Sequence, residues 1–248
     1  MRRRQVKKPV QLTLDSARRP TGRGGWRPGA GRPRGRTRVA HTTRERFAPR
    51  FPIHVTLRLR EGLGSLRRHK ALQIMRQAVS ASARRGGEAD AFRIVHFNLL
   101  SNHVHLVVEA ASAAALARGV QGLSVRLARG WNRIAQRRGK VFAERYHARV
   151  LRTPRETRNV LSYVLLNGRR HAAEGGVRLA SRWIDPYSSA AWFDGWRAPI
   201  RADEPWMKEL LRQPCPTVPA RVWLLTTGWR RWGLLAFDEV PGGGKRQA

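Results

Sequence analysis

Phe92-Arg93-Ile94-Val95-His96-Phe97-Asn98-Leu99-Leu100-Ser101-Asn102-His103-Val104-His105-Leu106-Val107-Val108-Glu109 is the stretch that decides the fold. Two apolar runs, Phe92 to Leu99 and Val104 to Glu109, flank the short turn Leu100-Ser101-Asn102 and read as a β-hairpin. Side chains two residues apart on a strand share a face, so His103 and His105 project together while Val104 packs into the core. Two imidazoles on one strand face make half of a divalent-cation site, or simply a polar strand face.

Upstream, Pro52 to Arg60 alternates apolar with polar at period two and reads as a half-buried strand. Residues 65 to 85 carry Leu66, Ala71, Ile74, Met75 and Val79 near helical spacing, with Gly86-Gly87 as the expected stop. Downstream, Ser112 to about Arg137 reads as a long helix closed by Gly139, and Tyr146 to Arg152 as a fourth strand. Thr153-Pro154-Arg155-Glu156 then opens a helix, with Thr as the N-cap, Pro first and Glu third, running to Asn167 with Gly168 as the stop. Strand, helix, hairpin, helix, strand, helix is the order of an α+β fold: a ferredoxin-like antiparallel sheet with helices on one face.

That domain, residues 51–176, is flanked by two biased segments. The chain carries 50 Lys and Arg against 16 Asp and Glu, a formal net charge of +34. Self-repulsion of that size calls for a polyanionic partner, and nucleic acid fits, whether for a DNA enzyme or a ribosome-associated protein. Sixteen of the basic residues lie in the arm 1–50, against Asp15 and Glu45. Its Gly, Pro and Arg content predicts disorder in isolation. Gly31-Arg32-Pro33-Arg34-Gly35-Arg36 resembles an AT-hook, so Arg32, Arg34 and Arg36 are candidate nucleic-acid contacts, in an A·T minor groove or on phosphates. The extension 177–248 holds seven of the nine Trp interleaved with Arg, read first as core residues of an appendage and second as a stacking surface for unpaired bases.

One cysteine, Cys215, excludes an internal disulfide and a multi-cysteine zinc site. No run approaches about 18 apolar residues and the Arg-rich start lacks the apolar segment of a secretory signal, so a cytoplasmic location without a membrane partner is expected. The sequence is compatible with a monomer or a homodimer.

A second segment, Arg158-Asn159-Val160-Leu161-Ser162-Tyr163-Val164-Leu165-Leu166-Asn167, places Tyr163 and Asn167 four apart on one helix face. If that face packs on the one bearing His103 and His105, a cation site, a third polar ligand and a phenol come together. Otherwise the pair is a half-buried Tyr and a cap. Ser101-Asn102-His103-Val104-His105-Leu106, Val141-Phe142-Ala143-Glu144-Arg145-Tyr146-His147 and Tyr163-Val164-Leu165-Leu166-Asn167 together resemble the three signatures of the single-tyrosine, His-hydrophobic-His transposases of insertion sequences and REP elements. Ser101 and Gly168 stand where that family commonly has Pro.

The resemblance implies that His103, His105 and Asn167 hold a divalent metal, Mg²⁺ or Mn²⁺, and that Tyr163 is the nucleophile. It implies nicking and strand transfer on single-stranded or hairpin DNA through a 5′-phosphotyrosine. Tyr146 is the competing nucleophile. His54-Val55-Thr56 resembles the His-x-Thr of two-histidine phosphoesterases, a class that needs two such motifs, and the other candidate weighed, His103-Val104-His105, does not match the pattern. The reading from another class is a non-catalytic DNA- or RNA-binding protein that recognises structured repeats.

Overall fold

A computed structural model describes residues 45–83, 90–201 and 205–241. The candidate groove contacts Arg32, Arg34 and Arg36 and the expected helix stop Gly86-Gly87 lie outside the described residues. The elements in chain order are β1 (Ile53–Arg58), α1 (His69–Ala83), β2 (Phe92–Leu99), β3 (His103–Ala110), α2 (Ala113–Ile134), β4 (His147–Val150) and α3 (Pro154–Glu174). Beyond them come the short helices α4 (Pro205–Arg212) and α5 (Trp223–Thr226), with single 3₁₀ turns at Ala190–Trp192 and Gly228–Trp232. The strands form one antiparallel sheet in the order β2-β3-β1-β4. The α+β class with a four-stranded antiparallel sheet expected from the sequence is the one observed. The helices, however, are not confined to one face as expected, because Val95 and Val107 make the second face apolar too and it must also be covered.

Strand alternation gives this sheet two different faces. Ile53, Val55 and Leu57 of β1 and Val104, Leu106 and Val108 of β3 point to one side, where with α1 and α2 they build the larger core. β2 would fall out of phase along its length, but a bulge between Ile94 and His96 inserts one residue. Ile94, Phe97 and Leu99 therefore all reach the larger core, while Val95 turns to the other face. His54 and Thr56, and His103 and His105, share that other face by alternation.

The third helix covers the second face, so helices lie on both sides of the sheet. Val160, Leu161, Val164 and Leu165 of α3 pack with Val95 and Val107 in a second core. Strands apolar on both faces need cover on both, and α3 supplies it next to the His pair. The C-terminal extension backs α3: fully buried Trp229, with Trp196, Leu235 and Phe237, belongs to the same core. Trp206, Trp223 and Trp232 instead remain 40–53% exposed, so the Trp set divides into core and surface members. No helix among the described residues is long and apolar enough to cross a membrane.

Two helix ends differ from the sequence expectation. α2 stops at Ile134 with Ala135 as its C-cap, and Gln136 rather than Gly139 takes the first positive φ, at 47°. α3 does not stop at Gly168 but continues to Glu174. Gly168 is there for clearance: a Cβ would stand 2.5 Å from Asp185 Oδ2 and 2.8 Å from the Trp183 ring. Asp185 cannot yield, because Arg67 holds both its carboxylate oxygens at 2.9 Å and the Tyr187 N–H donates to it at 3.0 Å. On an open helix Gly→Ala stabilises by about 1 kcal/mol. Here Gly168→Ala is expected to destabilise by about 1–3 kcal/mol, read as a lowered melting temperature.

Candidate catalytic site

Antiparallel register sets Thr56 opposite His105 and Arg58 opposite His103. His105 Nδ1 lies 3.1 Å from Thr56 Oγ1 and 3.2 Å from His54 Nε2. The His54 and His105 rings stack with centroids 5.2 Å apart, and the His103 ring lies nearly parallel to that of His105 at 6.2 Å. From α3 the Tyr163 ring meets His105 edge-on at 5.2 Å and His54 at 6.0 Å. Arg170, two turns along α3, carries its guanidinium carbon 5.7 Å from the Tyr163 ring centre, and its Nε donates to Glu174 at 2.8 Å.

The Nδ1 atoms are spoken for and the Nε2 atoms of His103 and His105 are left over. His103 Nδ1 sits 2.7 Å from Asn102 Oδ1, which only accepts, so Nδ1 carries the hydrogen and Nε2 keeps its lone pair. Ligating imidazoles are ordinarily held by their other nitrogen in this way. Burial pushes His105 down to about 3, helped by the neighbouring charges of His54, His103 and His171. Burial, then His147 and Arg149, lowers His54 to about 4. His103 is lowered by burial, Arg58 and His171. All three are neutral at pH 7, the form that donates a lone pair.

His96, buried against Phe193 and 3.2 Å from Ser189 Oγ, is also lowered to about 4 by burial, with Asp194 opposing. An unfolded imidazole titrates near 6.5, so between about pH 6.5 and 4 the unfolded chain takes up protons that the folded chain refuses. Stability is therefore expected to be full above about pH 6.5 and to fall as pH drops toward 4. Thermal melts across that range check it, and a flat profile would contradict the burial of these rings.

Asn167 is fully buried, and neither its Oδ1 nor its Nδ2 has a hydrogen-bond partner. Tyr163, Asn167 and His171 recur every four residues and form one stripe of α3. One end of the stripe touches His105 and the charge of the other acts on His103 and His105. An unpaired buried carboxamide between them costs about 1–3 kcal/mol per unsatisfied group, a cost that a bound polar or cationic group would offset. Among the described residues no three His, Cys, Asp or Glu side chains are grouped to hold a metal ion. Two neutral imidazoles and a carboxamide oxygen are donor types that a divalent cation accepts, so His103, His105 and Asn167 are the residues that could hold one.

The structure thus brings His103, His105 and Tyr163 together, with Asn167 one turn further along. Tyr146 packs against the larger core instead, on the opposite side of the sheet from the imidazoles, as does Tyr187. Three residues were not placed at this site by the sequence reading. His54 and Thr56 brace His105, which alternation in β1 could have suggested but only the β3-β1 adjacency reveals. Fully buried Asn98 donates through Nδ2 to the Val164 carbonyl at 2.7 Å and so fixes the helix beside Tyr163.

No protein-family model matches the chain, and no curated protein matches it in sequence. Among solved structures it is similar to a REP-associated tyrosine transposase bound to a REP hairpin, at 18% identity and a TM-score of 0.44, over 61% of this chain and 82% of that one. So distant a likeness transfers no activity, and the chemistry of this chain has to come from its own side chains.

Proposed function

We propose that the chain nicks and rejoins single-stranded or hairpin DNA, with Tyr163 as nucleophile and a divalent cation, Mg²⁺ or Mn²⁺, held by His103, His105 and Asn167. One observation carries this reading: Tyr163 edge-on to His105 at 5.2 Å, with the orphaned Asn167 carboxamide one turn away on the same helix. A binder of folded DNA would have no use for that arrangement.

Phosphodiesters resist attack because their negative charge repels nucleophiles. The bound cation would neutralise a non-bridging oxygen and polarise the phosphorus. His103 and His105 would offer their Nε2 lone pairs to it, their rings fixed by Asn102 on one side and Thr56 and His54 on the other. Tyr163 Oη then attacks in line: the Oη–P bond forms, the P–O3′ bond breaks, the phenol loses its proton and the departing 3′ oxygen gains one. Arg170 places a positive charge beside the Tyr163 ring, where the transferred phosphate would sit close to it. The 5′ end stays on Tyr163 as a phosphoester that conserves bond energy. A free 3′-hydroxyl can reverse the step on another end, so joining needs no ATP.

In this reading residues 51–176 do the chemistry, the arm 1–50 with Arg32, Arg34 and Arg36 contacts DNA, and 177–248 buttresses α3. Polarity tests it. A hairpin oligonucleotide labelled at its 3′ end should leave its label on the protein, while the released piece ends in a 3′-hydroxyl that a polymerase extends. Label retained from the 5′ end, or hydrolysis without any retained label, would overturn it.

A further inference from the structure

Beside the stripe Tyr163, Asn167, His171 the surface opens into two hollows that share the Trp183 ring. The nearer, about 280 Å³, is lined by Arg67, Gly168, His171 and Trp183 among others. The farther is a groove of about 740 Å³ between α1 and the C-terminal extension. Its apolar floor includes Leu72, Ile184, Met207 and Leu210, all buried. Around that floor stand three aromatic rings, Trp183, Tyr187 and Trp206, the last 40% exposed.

The rim is cationic. Arg76, Arg182 and Arg201 line it against one carboxylate, Glu209. Arg76 is fixed by Gln213 at 2.8 Å and lies over the Trp192 ring at 5.4 Å, while Arg67 lies over Tyr187 at 4.6 Å. Each of these two guanidinium groups is thus tethered beside a ring rather than a loose solvated charge.

Flat aromatic faces above an apolar floor, with a basic rim, in a chain of net charge +34, match one kind of ligand. Unpaired nucleotides present flat bases to the floor and phosphates to the rim, whereas a duplex hides its base faces and an acidic peptide has none. We propose that this groove binds the single-stranded DNA flanking the nicked phosphate, leading it past Trp183 toward His171 and Tyr163. The assignment of the flanking strand rests on the nicking function proposed above.

The test is a binding measurement on the full chain carrying Tyr163→Phe, so that no cutting intervenes. Two labelled DNAs are compared by fluorescence anisotropy at fixed salt: a blunt hairpin, and the same hairpin with single-stranded flanks. The parent should prefer the flanked DNA. Adding Trp206→Ala and Arg201→Ala, both at exposed positions, should weaken flanked binding about tenfold or more and leave blunt binding unchanged. An equal loss on both DNAs would reduce the groove to diffuse positive charge, and no loss on either would remove it as a binding site; both overturn the proposal. Because the readout is binding, a chain that never nicks DNA can still pass, and an active nickase can still fail.

Discussion

Tyr163→Phe is expected to lower the rate of DNA nicking by about 10⁴-fold or more, the size of loss seen when a covalent nucleophile is removed. The effect should be confined to chemistry. Phe keeps the edge-on contact with His105 and His54, and Tyr163 is only half-buried, so the fold and the affinity for hairpin DNA should be those of the parent. Tyr146→Phe should behave like the parent in nicking, because its ring packs on the other core. Single-turnover cleavage of labelled DNA separates the two. A nicking rate that survives Tyr163→Phe and falls with Tyr146→Phe would exchange their roles.

The second large effect sets stability against activity. Asn167→Leu replaces a fully buried carboxamide, unpartnered at both ends, with an apolar side chain of similar length. Each orphaned polar group costs about 1–3 kcal/mol, so the metal-free variant should be more stable by about that amount, a gain of several degrees in melting temperature. It should at the same time lose its response to cation. Mn²⁺ should raise the melting temperature of the parent, as any ligand selective for the folded state does, and leave Asn167→Leu unmoved. A variant that melts lower than the parent without metal would mean that the carboxamide is satisfied by the protein itself.

How much of this was legible in the sequence depended on whether the signal was local. Period-two alternation gave the strands, and the Ser112 and Thr153 caps gave the starts of α2 and α3, because those signals act within a few residues. Gly168 misled for the same reason. Read locally it stops a helix, whereas its role is clearance for Asp185, a contact across 17 positions of chain. The bulge between Ile94 and His96 is likewise invisible without β3, yet it is what allows Phe97 and Leu99 to join the core with Ile94.

At the site, the spacing of His103 with His105 and of Tyr163 with Asn167 placed each pair on its own face. That the two faces meet is a tertiary fact. It follows from strands β2 and β3 being apolar on both sides, so that a helix had to cover the second face. His54 was legible only as part of a His-x-Thr pattern; its place beside His105 was not, because that partner lies 51 residues away, across a strand pairing that no local pattern encodes. The Trp residues of the extension divided by environment, Trp229 into the core and Trp206 onto the groove, and composition alone could not have sorted them.

The most direct measurement is to trap the reaction on a hairpin DNA whose released 5′-side segment, ending in the 3′-hydroxyl, diffuses away, digest the protein with trypsin, and locate the nucleotide-bearing tyrosine by mass spectrometry. The account predicts the modification on the peptide from Asn159 to Arg169, at Tyr163, only when Mg²⁺ or Mn²⁺ is present. A modification on the peptide from Tyr146 to Arg149, or tight DNA binding with no modified peptide under any cation, would contradict it.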